Sequence, residues 1–213
     1  ILDLIYPLNI PPCCESEIPS GESGACRLKK DPADNLWGGR IPKIGIVCAG
    51  FNERLKRYKK IIAETLSADK GSVIVVLPTE EDVRYFAGHL AEFNPSVWDS
   101  SFNPAQMADF YRYIGSRTKS GEGHLIIGTR RASFLYPWNL KRIIIERDYD
   151  YGHKDGRSPY YTTRDVVMIR AGFSDVEVIS GGLVFSLAIF NLIKSGVARV
   201  TGEKLPSPYC INI

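Results

Sequence analysis

From Ile41 onward, short apolar segments alternate with longer segments whose apolar residues recur at helical spacing, and this alternation constrains the fold more than any other feature. Apolar runs of four to eight residues rich in Val and Ile are typical of strands buried on both faces of a parallel sheet. The predicted strands lie in the segments KIGIVCAG, SVIVVLP, PSVWDS, HLIIGT, KRIIIERD and VEVIS. Strands that alternate with helices predict an α/β fold, a three-layer parallel sheet with helices on both faces and right-handed crossovers.

Several small or polar residues mark where the helices are expected to begin and end. Asn52 is the predicted N-cap of the first helix, and Gly71 is its predicted stop. Thr79 with Asp82 resembles a capping box in which Asp replaces the usual Glu. Asn103 is the predicted cap of the third helix. The last helix is expected to cover the segment LVFSLAIFNLIKSG.

Composition narrows the class of protein only loosely. The chain has 213 residues, 44% of them hydrophobic, and a formal net charge of +3, as expected for one globular domain with a substantial core. No apolar run is long enough to span a bilayer, and no signal-peptide pattern is found. The five cysteines are odd in number and lack a C-x-x-C spacing, which argues against a zinc site and favours a reducing, intracellular compartment. Cys48 is predicted to be an ordinary core thiol.

The chain divides into three parts by pattern. Residues 1–40 mix Pro, Ser, Gly and Glu without a sustained period, so we expect an irregular N-terminal segment or linker. Residues 41–200 carry the alternation and are the predicted folded lobe. Residues 201–213 are the predicted C-terminal tail. Ligands of parallel α/β sheets bind where strands end and helices begin, so the turns that follow the strands are the candidate site.

The first of these turns follows the strand that contains Cys48. A phosphate-binding loop needs several glycines and then Gly-Lys-Ser/Thr, but this turn offers only Gly50. The helix after it is basic, with Arg54, Lys56, Arg57, Lys59 and Lys60. Either this helix is an anion or nucleic-acid surface, or it is an ordinary solvated helix face.

The turn after HLIIGT contains Thr129, Arg130 and Arg131. A hydroxyl and backbone N–H groups bind phosphate, and an arginine neutralises its charge. Phe134, Tyr136 and Trp138 follow, and aromatic residues beside arginines suit single-stranded nucleic acid through base stacking. The alternative, which we favour from the sequence, is that these aromatics pack the edge of the domain.

The stretch RIIIERDYD, residues 142–150, places charged residues at the end of a buried strand. In an ATPase, acids at this place hold Mg²⁺ and activate water. Glu146 stands where the metal-binding acid is expected, but Arg147 stands where the water-activating acid is expected. A guanidinium is always protonated and cannot act as a base. Asp148 remains as a further acid.

Two glycines and three histidines complete the candidates. Gly181 and Gly182 are predicted to let the chain turn tightly from a strand into the last helix. His89 and His153 are expected on the surface, and His124 at the start of a strand. Three scattered histidines do not predict a metal site.

Taken in order, these turns resemble the first RecA-like lobe of the primosomal protein N′ family, the PriA-type replication-restart helicases. The resemblance covers roughly residues 44–200 and is strongest in the segments LPTEEDV, IIGTRRASFLYPWNLKRIIIERDYDYGHKDGRSPYYTTRDVVMIRA and ISGGL. The family has a Gly-Thr-Arg turn, then a small residue and Phe, then a strand ending in Asp-Glu-Glu-His. A Lys lies shortly after this strand, followed by a Tyr-containing loop and an Arg-Asp that begins a helix, and a Gly-Ser-Ala-Thr-Pro turn closes the lobe. The matching positions here are Gly128, Thr129, Arg130, Ala132, Phe134, Lys154, Tyr161, Arg164, Asp165, Arg170 and Ala171.

Three nucleotide-handling sites of that family are altered here. The phosphate loop should fall at residues 49–56, and its glycines, Lys and Ser/Thr are missing. Asp-Glu-Glu-His becomes residues 146–149, Glu-Arg-Asp-Tyr, and Gly-Ser-Ala-Thr-Pro becomes residues 181–185, Gly-Gly-Leu-Val-Phe. The chain therefore looks like the degenerate PriA-type proteins of actinobacteria. The residues of the degenerate nucleotide site are Gly50, Lys56, Glu146, Arg147, Asp148, Gly181 and Gly182.

The resemblance implies a bacterial cytoplasmic protein of replication restart, which binds branched or single-stranded DNA and assembles with other primosome proteins at stalled forks. The family's cofactors, ATP and Mg²⁺, are expected to be lost, and its zinc-binding cysteines are not in this sequence. The predicted DNA-binding residues are Thr129, Arg130, Arg131, Lys154 and Arg164. Two alternatives stay open: a divergent ATPase that uses Glu146 and Asp148 for Mg²⁺, and a protein-interaction scaffold without DNA contact.

Overall fold

The computed structural model describes residues 42–68 and 70–200, and within them it contains a seven-stranded, fully parallel sheet. A separate antiparallel pair follows the fifth strand. The strands are β1 Lys43–Cys48, β2 Ser72–Val76, β3 Ser96–Trp98, β4 Leu125–Gly128, β5 Leu140–Glu146, β6 Lys154–Asp155, β7 Tyr161–Thr162, β8 Glu177–Gly182 and β9 Ala198–Val200. The helices are α1 Phe51–Ser67, α2 Glu80–His89, α3 Pro104–Ser120, α4 Thr163–Phe173 and α5 Leu187–Lys194, and three short 3-10 helices cover Ala91–Phe93, Arg130–Phe134 and Tyr151–His153.

The sheet order is β3-β4-β2-β5-β8-β1-β9, with β5 in the centre. Strand β2 is buried along its whole length, and its residues alternate between two cores. Val73 and Val75 pack with residues of α1 and α2, and Ile74 and Val76 pack on the face that carries α3, α4 and α5. Successive side chains of a strand point to opposite faces, so a continuous apolar run is needed to fill both cores. The predicted three-layer α/β fold is confirmed.

Two of the predicted helix caps are confirmed and the boundaries of α1 are corrected. The Thr79 hydroxyl accepts a hydrogen bond from the Asp82 N–H, and the Asn103 side chain accepts one from the Gln106 N–H. Helix α1, however, begins at Phe51 after Gly50, so Asn52 is inside the helix and is not its cap. The helix ends at Ser67, four residues before the predicted stop at Gly71.

Gly71 has a different role from the predicted one. A Cβ atom at this position would lie 2.4 Å from Cγ of Lys141 and 3.3 Å from a backbone oxygen. The glycine therefore allows close approach between the start of β2 and the start of β5.

The carboxyl-terminal part of the predicted lobe differs in two ways from expectation. Helix α5 begins only at Leu187, because Ser186 caps it by accepting a hydrogen bond from the Ile189 N–H. A short strand, β9, which the sequence did not predict, pairs with β1 and forms one edge of the sheet. The predicted N-terminal segment, residues 1–40, and the predicted tail, residues 201–213, lie outside the described residues.

Cys48 lies at the end of β1 and is half-buried, with its thiol donating to the carbonyl of Leu183 at 3.2 Å. The prediction of a fully buried core thiol is thus only partly right. Among the helices of the described residues, none is long and apolar enough to cross a bilayer.

Candidate functional site

The carboxyl end of β5 carries a buried ion pair at the place predicted for a metal-binding acid. The Glu146 carboxylate accepts hydrogen bonds from Arg54 Nε at 3.1 Å and from Arg54 Nη2 at 2.5 Å. Tyr58 donates its hydroxyl proton to the other carboxylate oxygen at 2.6 Å. Arg54 Nη1 donates to the carbonyl of Ala49, and this hydrogen bond holds the guanidinium against the turn between β1 and α1. Glu146 is 2% exposed and Arg54 6%, so the pair is shielded from water.

The pKa shifts of this cluster follow from burial and from the carboxylate. Burial acts against the charge on Arg54, but its hydrogen bond to Glu146 and the carboxylate's charge outweigh burial and raise the pKa of Arg54. Burial, together with the charge of Glu146, raises the pKa of Tyr58 well above its ordinary value. Tyr58 is therefore a neutral hydrogen-bond donor and Arg54 a fixed cation at any physiological pH. The Glu146 carboxylate thus receives its hydrogen bonds from two side chains of the same chain, Arg54 and Tyr58.

This arrangement corrects the prediction for the basic helix. Arg54 points into the protein and is not part of a solvated or nucleic-acid-binding face. On the outer side of α1, Lys59 pairs with Glu92 at 2.9 Å, and Lys60 lies 4.0 Å from Glu64. Lys56 is exposed. The acids therefore offset much of the positive charge expected on this helix.

Gly50 is the N-cap of α1 in an extended conformation, with φ −61° and no side-chain cap. A Cβ atom there would meet no atom within 4 Å. Nothing in its surroundings requires glycine. Only Ala49 and Gly50 separate β1 from α1, so the described chain forms no glycine-rich phosphate cradle at this place.

Arg147 anchors the end of β5 to helix α2. Its φ is +55°, in the left-handed region that is uncommon for a side chain other than glycine. The Arg147 N–H donates to the carbonyl of Gly181 at 2.6 Å, and Nη2 forms an ion pair with Asp82 Oδ2 at 2.5 Å. The residue at the position predicted for a catalytic acid is thus a cation, and it pairs with an acid in the first turn of α2.

Asp148 is 7% exposed and connects the two helices on the far side of the strand. It accepts a hydrogen bond from Ser186, the cap of α5, and its carboxylate lies 3.6 Å from Nη1 of Arg164 in α4. Glu146 and Asp148 therefore each have a cationic partner within the chain. Among the described residues, no group of three or more His, Cys, Asp or Glu is arranged to hold a metal ion.

His153 is buried, at 1% exposed, which corrects the prediction of a surface histidine. Its Nε2 lies 2.8 Å from the carbonyl of Glu146, so Nε2 must carry the proton and donate it. Nδ1 lies 3.2 Å from the hydroxyl of Thr163. Burial lowers the pKa of His153, although the bond to Glu146 acts in the opposite direction. His89 is exposed, as predicted, and His124 lies immediately before β4.

Gly181 and Gly182 do not form the predicted tight turn, because both belong to strand β8. Their role is close packing. A Cβ atom on Gly181 would lie 1.5 Å from the hydroxyl oxygen of Tyr58, and one on Gly182 would lie 2.8 Å from the carbonyl oxygen of Val184. Gly181 therefore makes room for Tyr58 to reach Glu146.

A second candidate site lies beside this cluster, where the 3-10 helix Arg130–Phe134 meets the β6–β7 hairpin. Arg130 Nε pairs with Asp155 Oδ2 at 3.3 Å, and the rings of Phe134 and Tyr161 meet edge to face at 5.1 Å. These contacts bring two separate segments of the chain into one surface. We call the surface formed by residues 130–138 and 154–161 the aromatic–basic surface.

The five predicted DNA-binding residues differ in how far they are available to a ligand. Thr129 is 7% exposed, Arg130 is paired with Asp155, and Arg164 lies within 4 Å of Asp148 and Asp165. Arg131 and Lys154 are exposed and form no ion pair with any described residue. Arg131 and Lys154 are therefore the two free cations of the set.

The aromatic residues of the surface are exposed. Phe134 is 50% exposed, Tyr136 73% and Trp138 45%, and they alternate with the buried residues Leu135 and Pro137. Tyr160, at the hairpin, is 78% exposed. The interpretation of these aromatics as packing residues of the domain edge is wrong for Tyr136, and the alternative, an accessible stacking surface, fits its exposure.

Sequence reasoning missed the hydrogen bond from Tyr58 to Glu146, the inward direction of Arg54 and the burial of His153. The helical period did place Leu55, Tyr58 and Ile62 on the apolar face of α1, and Arg54 directly precedes that face. An arginine beside the apolar face of a helix, together with a Glu at the end of a buried strand, is the sequence signal from which this ion pair could have been predicted. For His153 no comparable periodic signal exists.

Comparison with known proteins gives the class first. No family model matches the chain. In structure, it resembles part of the DUF1998 helicase MrfA solved with DNA and AMPPNP, with a TM-score of 0.50 and 14% identity over 76% of this chain and 25% of the other. It also resembles the C-terminal domain of the DEAD-box protein Dbp5, with a TM-score of 0.50 and 14% identity over 78% of this chain and 91% of the other. The fold of the described residues is therefore the RecA-like fold that those helicase domains share.

In sequence, the chain is similar to proteins named replication restart protein PriA, as the resemblance predicted. One from Helicobacter pylori strain J99 is 24% identical over 96% of this chain and 31% of the relative. One from Haemophilus influenzae is 29% identical over 65% of this chain and 19% of the relative. A probable PriA of Mycobacterium tuberculosis is 26% identical over 67% and 22%. The chain thus spans about a fifth to a third of the length of these relatives.

Proposed function

We propose that this chain is a DNA-binding helicase lobe of a replication-restart protein, in which an internal ion pair has replaced the nucleotide site. The observation that carries DNA binding is the aromatic–basic surface, where the free cations Arg131 and Lys154 lie on the segments that carry exposed aromatic rings. Cations neutralise the phosphates of a nucleic acid, and exposed rings stack on unpaired bases. The similarity to PriA proteins and to a helicase solved with DNA supports the same assignment.

The ligand we propose is single-stranded or branched DNA, bound in the bacterial cytoplasm at a stalled fork where other primosome proteins assemble. An exposed ring stacks on a base only where that base is unpaired, which favours single strands and fork junctions over plain duplex. In this function the lobe binds DNA and does not translocate along it.

The observation that carries the loss of ATP hydrolysis is the pairing of Glu146 with Arg54 and Tyr58. To bind Mg²⁺, Glu146 would have to exchange a buried guanidinium and a phenol for a hydrated ion, which leaves Arg54 as an unpaired buried charge. Asp148 is held in the same way by Arg164 and Ser186. Phosphoryl transfer also needs a positioned base for water, and Arg147 cannot act as one. These contacts argue against a divergent ATPase that uses Glu146 and Asp148.

Two measurements test the proposal. The first is fluorescence anisotropy with labelled single-stranded, forked and blunt duplex DNA at several salt concentrations, where we expect the single-stranded and forked ligands to bind more tightly. No binding of any DNA at low salt would favour a protein-interaction scaffold. The second is calorimetry with Mg²⁺–ATP, supported by thermal shift, where we expect no heat of binding and no rise in melting temperature at several millimolar nucleotide. Saturable binding there would restore the divergent-ATPase hypothesis.

A further inference from the structure

Arg170 is a buried cation that none of the contacts described so far requires. It lies on α4 and is 9% exposed. Nη1 donates to the carbonyl of Ser133, and Nη2 has no hydrogen-bond partner. No carboxylate among the described residues forms an ion pair with it. A guanidinium stays charged in a protein, and burying it without an acid is costly, so its retention at this place calls for a role.

The Arg170 guanidinium also contacts the ring of Tyr136. The centre of the guanidinium lies 4.4 Å from the ring centroid, over the face of the ring. This distance is within the range of a cation–π interaction, which holds the ring by one face. Burial lowers the pKa of Arg170, and the Tyr136 hydroxyl acts in the opposite direction.

Tyr136 is at the same time 73% exposed. Since the guanidinium covers one face of the ring, the exposed area includes the opposite face. The hydrogen bond from Arg170 to Ser133 fixes the guanidinium to the 3-10 helix that leads to Tyr136. The guanidinium of Arg170 therefore packs on one face of the ring, and the opposite face is open to solvent.

We propose that Tyr136 is a stacking platform for one unpaired base and that Arg170 is its positioning residue. Arg170 holds the ring in the orientation that a base needs, so that little freedom is lost when the base stacks. The free cations Arg131 and Lys154 bind the flanking phosphates. This inference rests on the proposed DNA-binding function and adds to it a base-contacting residue and the group that supports it.

The test compares two strands of equal length, oligo-dT and the same strand with all bases removed, which keep the phosphates and differ only in stacking. We expect the full chain to bind oligo-dT about tenfold more tightly than the abasic strand, in line with the stacking of one base on one ring. Tyr136→Ala is expected to remove this preference and leave the affinity for the abasic strand unchanged. Tyr136→Phe is expected to keep it, because the ring remains. Tyr85→Ala, at an exposed tyrosine on α2 across the sheet, is the control and is expected to bind like the unchanged chain.

Arg170 is tested in the same assay with Arg170→Lys and Arg170→Met, after circular dichroism has shown that each variant is folded. A positioning role predicts that both variants lose most of the preference for oligo-dT and keep their affinity for the abasic strand. An equal loss of affinity for both strands would show a merely structural role and overturn the assignment of Arg170.

The outcomes for the unchanged chain separate this inference from the proposed function. If it binds neither strand, DNA binding itself is wrong. If it binds both strands equally well, DNA binding stands and the stacking platform is wrong. If Tyr136→Ala keeps the preference for oligo-dT, another ring stacks on the base and the assignment of Tyr136 is overturned. If one Arg170 variant is unfolded, the other Arg170 variant and the Tyr136 variants still test the inference, after circular dichroism has shown that each of them is folded.

Discussion

Arg54 and Glu146 form a two-point hydrogen-bonded ion pair inside the protein, with 2.5 Å between Nη2 and Oε1 and side chains that are 7% and 3% exposed. The two residues are 92 positions apart in the sequence. Their contact joins the start of α1 to the end of the central strand, at the edge of the sheet where ligands of such folds bind. The carboxylate at the position predicted for a metal-binding acid is thereby part of the core.

Breaking this pair is expected to be costly. Arg54→Met leaves the Glu146 carboxylate buried beside Tyr58 alone, and we expect the free energy of unfolding to fall by about 3–5 kcal/mol. The double variant Arg54→Met, Glu146→Gln removes both charges and should recover much of that loss. Chemical denaturation of the unchanged chain and of these two variants measures the differences. Arg57→Met on the same helix, where Arg57 pairs with Glu53 at the surface, is the control and should cost no more than about 0.5 kcal/mol. Equal effects of Arg54→Met and Arg57→Met would contradict the buried-pair interpretation.

The close packing of Gly181 on Tyr58 gives a second prediction. Gly181→Ala places a Cβ atom 1.5 Å from the phenol oxygen, so β8 or α1 must move. We expect a loss of stability of about 1–3 kcal/mol or more, as for overpacked cores. Gly115→Ala on α3 meets no atom within 4 Å and should instead stabilise the chain by roughly 0.5–1 kcal/mol. Thermal unfolding of the two variants would disprove the packing argument if both shifted in the same direction.

An acid at position 147 is not expected to give the chain ATPase activity. Arg147→Glu leaves Glu146 paired with Arg54, and it puts a carboxylate against Asp82, the present partner of Arg147. We therefore expect no Mg²⁺–ATP binding by calorimetry, no phosphate release with or without DNA, and a lower melting temperature. Arg147→Lys keeps a positive charge opposite Asp82 and should melt closer to the unchanged chain. DNA-stimulated turnover by Arg147→Glu would refute the loss of function that we propose.

The free cation of the 3-10 helix is expected to dominate the salt dependence of DNA binding. Arg131→Ala should weaken binding to every sequence and reduce the slope of log affinity against log salt by about 0.7 for a single strand, the contribution of one phosphate contact. Arg130→Ala should have a smaller effect, because Arg130 is already paired with Asp155. Lys43→Ala, at the exposed start of β1 where Lys43 pairs with Asp175, is the control. A slope that Arg131→Ala leaves unchanged would remove Arg131 from the interface.

His153 predicts how stability depends on pH. Burial lowers the pKa of His153 in the folded chain, whereas the pKa of a histidine in the unfolded chain is about 6.5. The unfolded chain therefore takes up the proton first as the pH falls. The contribution of His153 to stability is complete above about pH 6.5 and is lost as the pH falls through the folded-state pKa, with a limiting slope of about 1.4 kcal/mol per pH unit.

Denaturation curves at several pH values between about 7.5 and 5 measure this effect. His153→Gln should lack this part of the slope, even if it is less stable at every pH. His89→Gln, at an exposed position on α2, is the control for removing a histidine. Parallel pH profiles of the unchanged chain and His153→Gln would show that the buried imidazole does not take part.

The sequence by itself determined the class of fold and two of the helix caps. Continuous apolar runs such as residues 72–77 can be buried only in a sheet covered on both faces, so the layers follow from local pattern. The caps at Thr79 and Asn103 are equally local, because the cap and its partner are three residues apart. The absence of a Gly-Lys-Ser/Thr turn and the cation at position 147 can also be read directly from the chain.

The tertiary structure decided which charges are free and which are used. Arg54 and Lys56 look alike in sequence, yet one is buried against Glu146 and the other is exposed. Arg130 and Arg131 are neighbours, but among the residues that the structure describes only Arg130 pairs with an acid, Asp155 of the hairpin, 25 residues away. The reason is physical: the state of a charged side chain depends on which groups surround it in space, and strands and helices distant in sequence supply those groups.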